Sequence, residues 1–161
     1  MSEMIVITEQ PLNPEEYTSL VQRDSNGAVV TFLGTTRDSF EGKKVIHLEY
    51  EAYEEMAYKK LEEIRQELRA EFGVEDVAIA HRIGPVNIGQ ISLVVAVASP
   101  HRKEAFFACH EAVNRLKHVV PIWKKEVYDG GEHWVSCEDH EFHEEAASHQ
   151  SETAPATADN D

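Results

Sequence analysis

Cysteine is nearly missing from this chain, with only Cys109 and Cys137 among 161 residues. That excludes a disulfide scaffold and makes a reducing cytoplasm the simplest compartment. Long apolar runs are missing too, and none approaches the roughly 18–20 residues that a membrane-spanning helix requires. The N-terminal stretch MSEMIVITEQ has no basic region ahead of an apolar one, so no secretory signal is expected. Positive charge is in short supply, with 15 Lys and Arg against 30 Asp and Glu for a formal net charge of −15. An acidic chain of this kind repels polyanions, so nucleic acid is not expected as a partner, and with no long apolar run no membrane is expected either. What is present in quantity is apolar residue, 42% of the chain, which is enough to build a core. The length suits one compact domain.

The charge is unevenly placed. From Glu138 to Asp161 there are eight acidic residues and no Lys or Arg. This segment, rich in Ser, Thr, Ala, Glu and His, reads as a solvated, disordered tail, so the expected organisation is a domain over 1–137 and a tail over 138–161. The sign reverses between residues 101 and 125. There, Arg102, Lys103, Arg115, Lys117, Lys124 and Lys125 face only Glu104 and Glu111. A positive island in an acidic protein points to a small anion, or an acidic segment, bound at one place.

Periodicity outlines the elements. MIVIT (4–8) reads as a strand, and Asn13-Pro14-Glu15-Glu16 as a capped helix start running to about Arg23. An Asn26-Gly27 turn and an apolar strand over 28–33 follow, then the loop GTTRDSFEGK. From Val45 to Ala52, Ile46, Leu48, Tyr50 and Ala52 alternate with His47, Glu49 and Glu51 as a half-buried strand. A helix over about 53–71 carries Ala57, Leu61, Ile64 and Leu68 as its stripe. Strands at 77–83 and 91–98 are joined by GPVNIGQ, and the second is apolar on both faces, so it belongs in the middle of a sheet. Ser99-Pro100 opens a helix whose stripe is Ala105, Cys109, Ala112, Val113 and Leu116. Segments 122–128 and 133–136 read as a hairpin around Asp129-Gly130-Gly131-Glu132. Without a strict βαβ rhythm or internal repeats, the expected class is α+β, with a mostly antiparallel sheet and flanking helices.

Three places in this outline can carry chemistry. At Ser99-Pro100-His101-Arg102 a strand ends and a helix begins, with Ser99 read as the cap. A helix start favours an anion, and arginine adds a bidentate fork for a phosphate; the plain alternative is that both side chains face solvent. Lys117, with Lys124 seven residues on, could supply a partly desolvated amine for proton transfer, or could simply complement the helix dipole. Arg37 sits in a loop directly after a strand, where ligand groups often lie, although lone loop arginines are usually solvated. Other features are set aside. GPVNIGQ has phosphate-loop glycine spacing without the Lys-Ser/Thr that must follow. His140, His143 and His149 lack a scaffold, so no metal site is expected. His81 reads as a core histidine and Cys109 as a core thiol.

Taken in order, GAVVTFLGTTRD, LEYEAYEEMA, AHRIGPVNIGQ, ASPHR and LKHVVPIWKKE resemble the large, catalytic subunits of molybdopterin synthase, the MoaE family. The resemblance covers about residues 4–136. It implies an α/β hammerhead fold and a homodimer within a heterotetramer, completed by two ubiquitin-like small subunits ending in a Gly-Gly thiocarboxylate. The implied reaction is insertion of two sulfurs into cyclic pyranopterin monophosphate to form a dithiolene, with no metal or organic cofactor. Matched residue by residue, Lys117 and Lys124 take the place of the family's catalytic lysines. Arg37 matches its loop arginine, and His101 and Arg102 its helix-start pair. One departure is Glu138, near the point past Trp134-Val135 where family members often carry a basic residue. If 101–117 is one helix, its ends lie about 24 Å apart at 1.5 Å per residue. The expectation is then a site shared across a dimer. Two other readings are a non-catalytic anion-binding or adaptor domain of the same fold, and a metal buffer using the tail histidines. Loss of function on removing 138–161 marks the buffer.

Overall fold

The structure, a computed structural model, describes residues 3–135. The expected boundary at 137, the tail 138–161, Cys137, Glu138 and the tail histidines lie outside the described residues. In chain order the elements are β1 (Ile5–Thr8), α1 (Pro14–Val21), β2 (Ala28–Thr35), β3 (Ser39–Phe40), β4 (Lys43–Ala52) and α2 (Glu54–Phe72). There follow β5 (Asp76–Arg82), β6 (Gly84–Asn87), β7 (Ile91–Ser99), α3 (Arg102–Val119), β8 (Ile122–Tyr128) and β9 (Gly131–Val135). This is the expected α+β class, with the sheets mostly antiparallel.

The first sheet has the order β1-β5-β7-β2, with β1 parallel to β5 and the other pairs antiparallel. Alternation along its two middle strands explains its two cores. Val77, Ile79, Val95 and Val97 face α2 and α3 in the larger core, with Leu61, Ile64 and Leu68 of α2. Ala78, Ala80, Ala96 and Ala98 face α1, where Tyr17 and Val21 fill the space that the small side chains leave. β7, apolar on both faces, is central as its composition implies. β2 forms one edge of this sheet.

The second sheet is curled, in the order β3-β4-β8-β9, with β6 also pairing with β4. Here several expectations need correction. A bulge between Val45 and His47 places Val45 in the core and turns Ile46 outward, so the alternation runs true only from Leu48 onward. The hairpin loop is the two residues Asp129-Gly130, since Tyr128 pairs with Gly131; an Asp-Gly pair suits that tight turn, and β9 starts at Gly131 instead of 133. β3 and β6 were not foreseen, because two to four residues carry no readable period.

Helix ends follow their local chemistry. The Asn13 Oδ1 accepts from the Glu15 N–H at 3.2 Å, and Pro14 occupies the first turn of α1. Gly73, at φ 65°, closes α2 in the left-handed conformation, its N–H donating to the Arg69 carbonyl. α3 starts later than expected. Ser99 is still in β7, His101 occupies the capping position without a side-chain cap bond, and the first helical residue is Arg102. The β7 ladder, in which Ser99 pairs with Ala28, holds the backbone extended to that point. Ala108 joins the α3 stripe, whereas Val113 is only half-buried.

Candidate active site

The direction of α3 decides which candidate residues can meet. A two-residue corner joins β7 to α3, and Cys109 Sγ lies 3.9 Å from the Val95 carbonyl. Cys109 is seven residues into the helix and Val95 four residues back along the strand, rises of about 10 Å and 13 Å. The helix therefore returns antiparallel along the strand. Its last turn, with Lys117, comes back to the end of the sheet where β7 begins at Ile91, and Ile91 pairs with Thr35 at the end of β2. Arg37 follows two residues later. His101 and Arg102 stay at the opposite end, about 22 Å from Lys117 measured along the helix.

At the Lys117 end the chain reverses within three residues. The Val120 N–H donates to the Leu116 carbonyl, and the Tyr53 N–H donates to the Pro121 carbonyl, so the turn is fixed to the start of α2. β8 then runs antiparallel to β4, with Lys124 opposite Tyr50 and Glu126 opposite Leu48 on the inner face. Trp123 is exposed on the other face. Lys117 is exposed and its amine has no partner among the described residues. Lys124 differs, because its Nζ lies 3.7 Å from Glu126 Oε1 and only 18% of its side chain is exposed.

Glu126 itself is 2% exposed, a buried carboxylate that sequence reading missed. Tyr128 donates its hydroxyl proton to the other Glu126 oxygen. Burial, together with that hydrogen bond and the carboxylate charge, pushes the Tyr128 phenol up to about 12, so it stays a donor. A buried carboxylate must be paired and hydrogen-bonded to be tolerated, and Glu126 has both kinds of partner. The available signal was an acid at an inward position of an alternating strand.

From Tyr128 the same face leads back to Arg37. The Lys43 ammonium lies over the Tyr128 ring, 5.4 Å from its centroid, and Lys43 is paired with Phe40 across β3–β4. The Arg37 guanidinium lies over Phe40 at 5.7 Å. Lys43, Lys44 and Tyr128 line an open cavity of about 700 Å³ beside this row together with the acidic Glu41, Asp129 and Glu132, so its lining is of mixed charge. The return of α3 and the Ile91–Thr35 pairing thus put Lys117 and Arg37 toward the same end of the first sheet, while Lys124 shares a face of β8 with Glu126 and Tyr128. The donors among these groups are cationic or phenolic and suit an anionic substrate and a developing oxyanion.

The positive island is smaller than its composition implies. Arg115 pairs with Glu67 and Glu71 of α2, and Lys125 with Glu49 and Glu132, so both serve the fold. The neighbouring Glu49 carboxylate raises the Lys125 ammonium above its ordinary value. His101 and Arg102 are exposed, with no side-chain partner among the described residues. Their backbone is fixed, however. The His101 N–H reaches Ser99 Oγ at 3.4 Å, and the Gly27 N–H donates to the Ser99 carbonyl at 3.1 Å.

His81 is the buried histidine expected, 5% exposed. Its Nδ1 meets the Arg82 carbonyl, and its ring stands edge-on to Tyr50. Burial pulls its imidazole down to about 4. Cys109 is buried, and desolvation pushes its thiol up to about 11, which makes it a poor nucleophile.

Comparison with known proteins agrees with this architecture. The family model described as "MoaE protein" matches residues 7–119. The chain is 44% identical over 133 residues to a molybdopterin synthase catalytic subunit of Bacillus subtilis, covering 83% of this chain and 85% of the relative. It is 48% identical over 127 residues to molybdopterin synthase catalytic subunit 1 of Aedes aegypti, covering 78% and 82%. The crystal structure of molybdopterin synthase from Staphylococcus aureus superposes with a TM-score of 0.81 at 41% identity, covering 84% of this chain and 98% of that one. With a family match over most of its length and relatives above 40% identity over more than four-fifths of their own chains, this chain belongs to the MoaE family.

Proposed function

We propose that this chain is the catalytic large subunit of a molybdopterin synthase, a sulfurtransferase of molybdenum cofactor biosynthesis. On this reading its partner is a ubiquitin-like small subunit bearing a C-terminal Gly-Gly thiocarboxylate. Its substrate is cyclic pyranopterin monophosphate, and 1–137 is the catalytic domain. The observation that carries the reading is that Lys124 lies against a buried carboxylate on β8; the return of α3 toward the Ile91–Thr35 end of the first sheet, which leads to Arg37, supports bringing Lys117 to the same site.

The chemistry fits these groups. Each sulfur forms a bond to a substrate carbon as a carbon–oxygen bond there breaks, the oxygen staying on the opened cyclic phosphate in one round and leaving as water in the other. Water then cleaves the sulfur–acyl bond, so the sulfur stays on the substrate and the small subunit leaves as carboxylate. Two thiocarboxylates are consumed for each dithiolene. The steps need cationic donors beside an acyl oxyanion and groups that move protons, roles suited to Lys117 and Lys124. Arg37 suits the phosphate, as do His101 and Arg102.

In one chain the last two lie too far from Lys117 to share a small substrate. β2 is a sheet edge eight residues long, and the nearby apolar side chains Phe32, Phe106 and Phe107 are exposed, Phe106 by 61%. A long apolar edge of this kind favours burial against a second chain. If two copies meet there about a twofold axis, their β2 strands run antiparallel. The Ala28 end of one, beside its His101 corner, then faces the Thr35 end of the other, which leads to Arg37. That supports a homodimer whose sites take His101 and Arg102 from one copy and Arg37, Lys117 and Lys124 from its mate. Among the described residues no helix is long and apolar enough to cross a membrane; we place the activity in the cytoplasm.

The test is sulfur transfer in a purified mixture of this protein, the thiocarboxylated small subunit and cyclic pyranopterin monophosphate, with product followed by mass. Dithiolene product from the wild type, lost in Lys117→Ala, is the expected result. Binding of the small subunit without product from the wild type would favour the adaptor reading.

A further inference from the structure

Arg37 follows a backbone segment held with unusual completeness. The Thr36 N–H donates to the Gln90 carbonyl at 3.1 Å, and the Thr36 carbonyl accepts from the Gly89 N–H at 2.9 Å. That carbonyl belongs to the same planar peptide unit as the Arg37 nitrogen, so the bond fixes the plane from which Arg37 departs. Beyond Arg37, the Asp38 carbonyl accepts from the Val45 N–H at 2.8 Å. Before it, Ser92 Oγ donates to the Gly34 carbonyl, and Tyr50 donates its hydroxyl to Ser92. Thr36 is buried to 4% exposure.

The clamp on Thr36 is made by the turn Asn87–Gln90, and the Gln90 side chain closes that turn. Its Oε1 accepts from the Asn87 N–H at 2.9 Å and from the Arg82 guanidinium at 3.2 Å, while the Gln90 N–H donates to the Asn87 carbonyl. Both side-chain contacts use the oxygen as acceptor, one of them from a charged donor. This is the segment whose glycines imitate a phosphate loop. Its observed work is to pair β6 with β4 and to hold residue 36.

We infer that Gln90 is a positioning residue for Arg37, with its side-chain oxygen, anchored by Arg82, setting the turn that fixes the peptide plane before Arg37. The inference rests on the reading that Arg37 binds the substrate's anionic group. The residue needs an acceptor, not an amide, so glutamate should serve in its place and methionine, of similar length, should not.

The experiment measures KM and kcat for cyclic pyranopterin monophosphate in the sulfur-transfer assay. It compares Gln90→Ala, Gln90→Met, Gln90→Glu, Arg37→Ala and the double variant R37A/Q90A, with thermal unfolding followed for each. Expected are a KM raised about tenfold in Q90A and Q90M, as for loss of an acceptor that holds a charged donor, with kcat changed less. Q90E should return to within about threefold of wild type, and R37A/Q90A should resemble R37A alone, because the clamp acts only through Arg37. Should Q90A fold poorly, Q90M, which keeps the side-chain volume, decides. Three results would overturn the inference: wild-type KM in a folded Q90M while R37A raises it, failure of Q90E to rescue, or effects of R37A and Q90A that multiply. Wild-type KM in R37A would refute the assignment of Arg37 itself, and the clamp inference with it.

Discussion

Replacing Glu126 by glutamine tests whether the Lys124 ammonium is maintained by its buried neighbour. At the observed 3.7 Å and an effective dielectric constant of about 20, the gross attraction is about 4 kcal/mol. Lys124 keeps partial access to water, and glutamine retains an acceptor for the Tyr128 hydroxyl, so the net loss is smaller, about 1–3 kcal/mol. Losing a neighbouring negative charge weakens the hold of the amine on its proton. If sulfur transfer needs Lys124 as an ammonium, the alkaline limb of kcat/KM in Glu126→Gln moves to lower pH. Tyr128 provides an independent spectroscopic reading. Burial is the main cause of its rise to about 12, but Glu126 contributes, so phenolate absorbance should develop at lower pH in the variant. The same shift has a consequence for stability. A group whose proton affinity is higher folded than unfolded stabilises the fold below its unfolded value near 10, and that contribution fades as pH rises towards 12. Superimposable pH–rate profiles for Glu126→Gln and wild type would refute the claimed coupling between Glu126 and Lys124.

Two further perturbations follow from the framework around the site. His81 is held near 4 by burial and an unfolded histidine lies near 6.5, so stability is full above 6.5 and drains away as pH falls to about 4, by about 3 kcal/mol. Urea unfolding of His81→Phe should show that slope much reduced, and an unchanged slope would remove His81 as its source. Gly27 is needed for space, because a Cβ there would lie 2.6 Å from the Pro100 carbonyl oxygen, a backbone atom that cannot swing aside. Gly27→Ala should therefore displace the His101–Arg102 corner, destabilise the fold by about 1–3 kcal/mol and raise KM for the anionic substrate; a variant with wild-type melting and KM would show that the corner relaxes freely.

The division between what could and could not be read from the sequence follows the range of the interactions. α1 was legible through Asn13 and Pro14, α2 through Ala57, Leu61, Ile64 and Leu68 at helical spacing, and β7 through an apolar run without alternation. In each case the cause lies within the element, in a cap or in a face repeated every turn or every second residue. Around β4 the bulge at Val45–His47 turned Ile46 outward, because register there is set by the partner strand β8 and not by the β4 pattern. β6 was invisible for the same reason, since four residues such as GPVN become a strand only because β4 offers an unsatisfied edge.

The candidate site divides along the same line. Arg37, Lys117 and Lys124 were visible as cations in an acidic chain, placed in a loop, a last helical turn and a strand, but each had an ordinary structural alternative, and it was the resemblance to the MoaE family that singled them out. The groups around them did not stand out, because their meaning depends on partners distant in sequence or on the strand face they occupy. Glu126 was one acid among thirty until its inward position beside Lys124 was known. Gln90, like Thr36, acquires a role only through the turn that closes on the residue before Arg37. The charged groups proposed to meet the substrate differ chemically from their surroundings, and so they leave a mark in the sequence. The groups that aim them need only an acceptor, a carbonyl or room for a backbone, which many residue types supply. A physical account of this site therefore has to extend from the cations to the neutral contacts that hold them, and the Gln90 and Glu126 variants separate those two kinds of contribution.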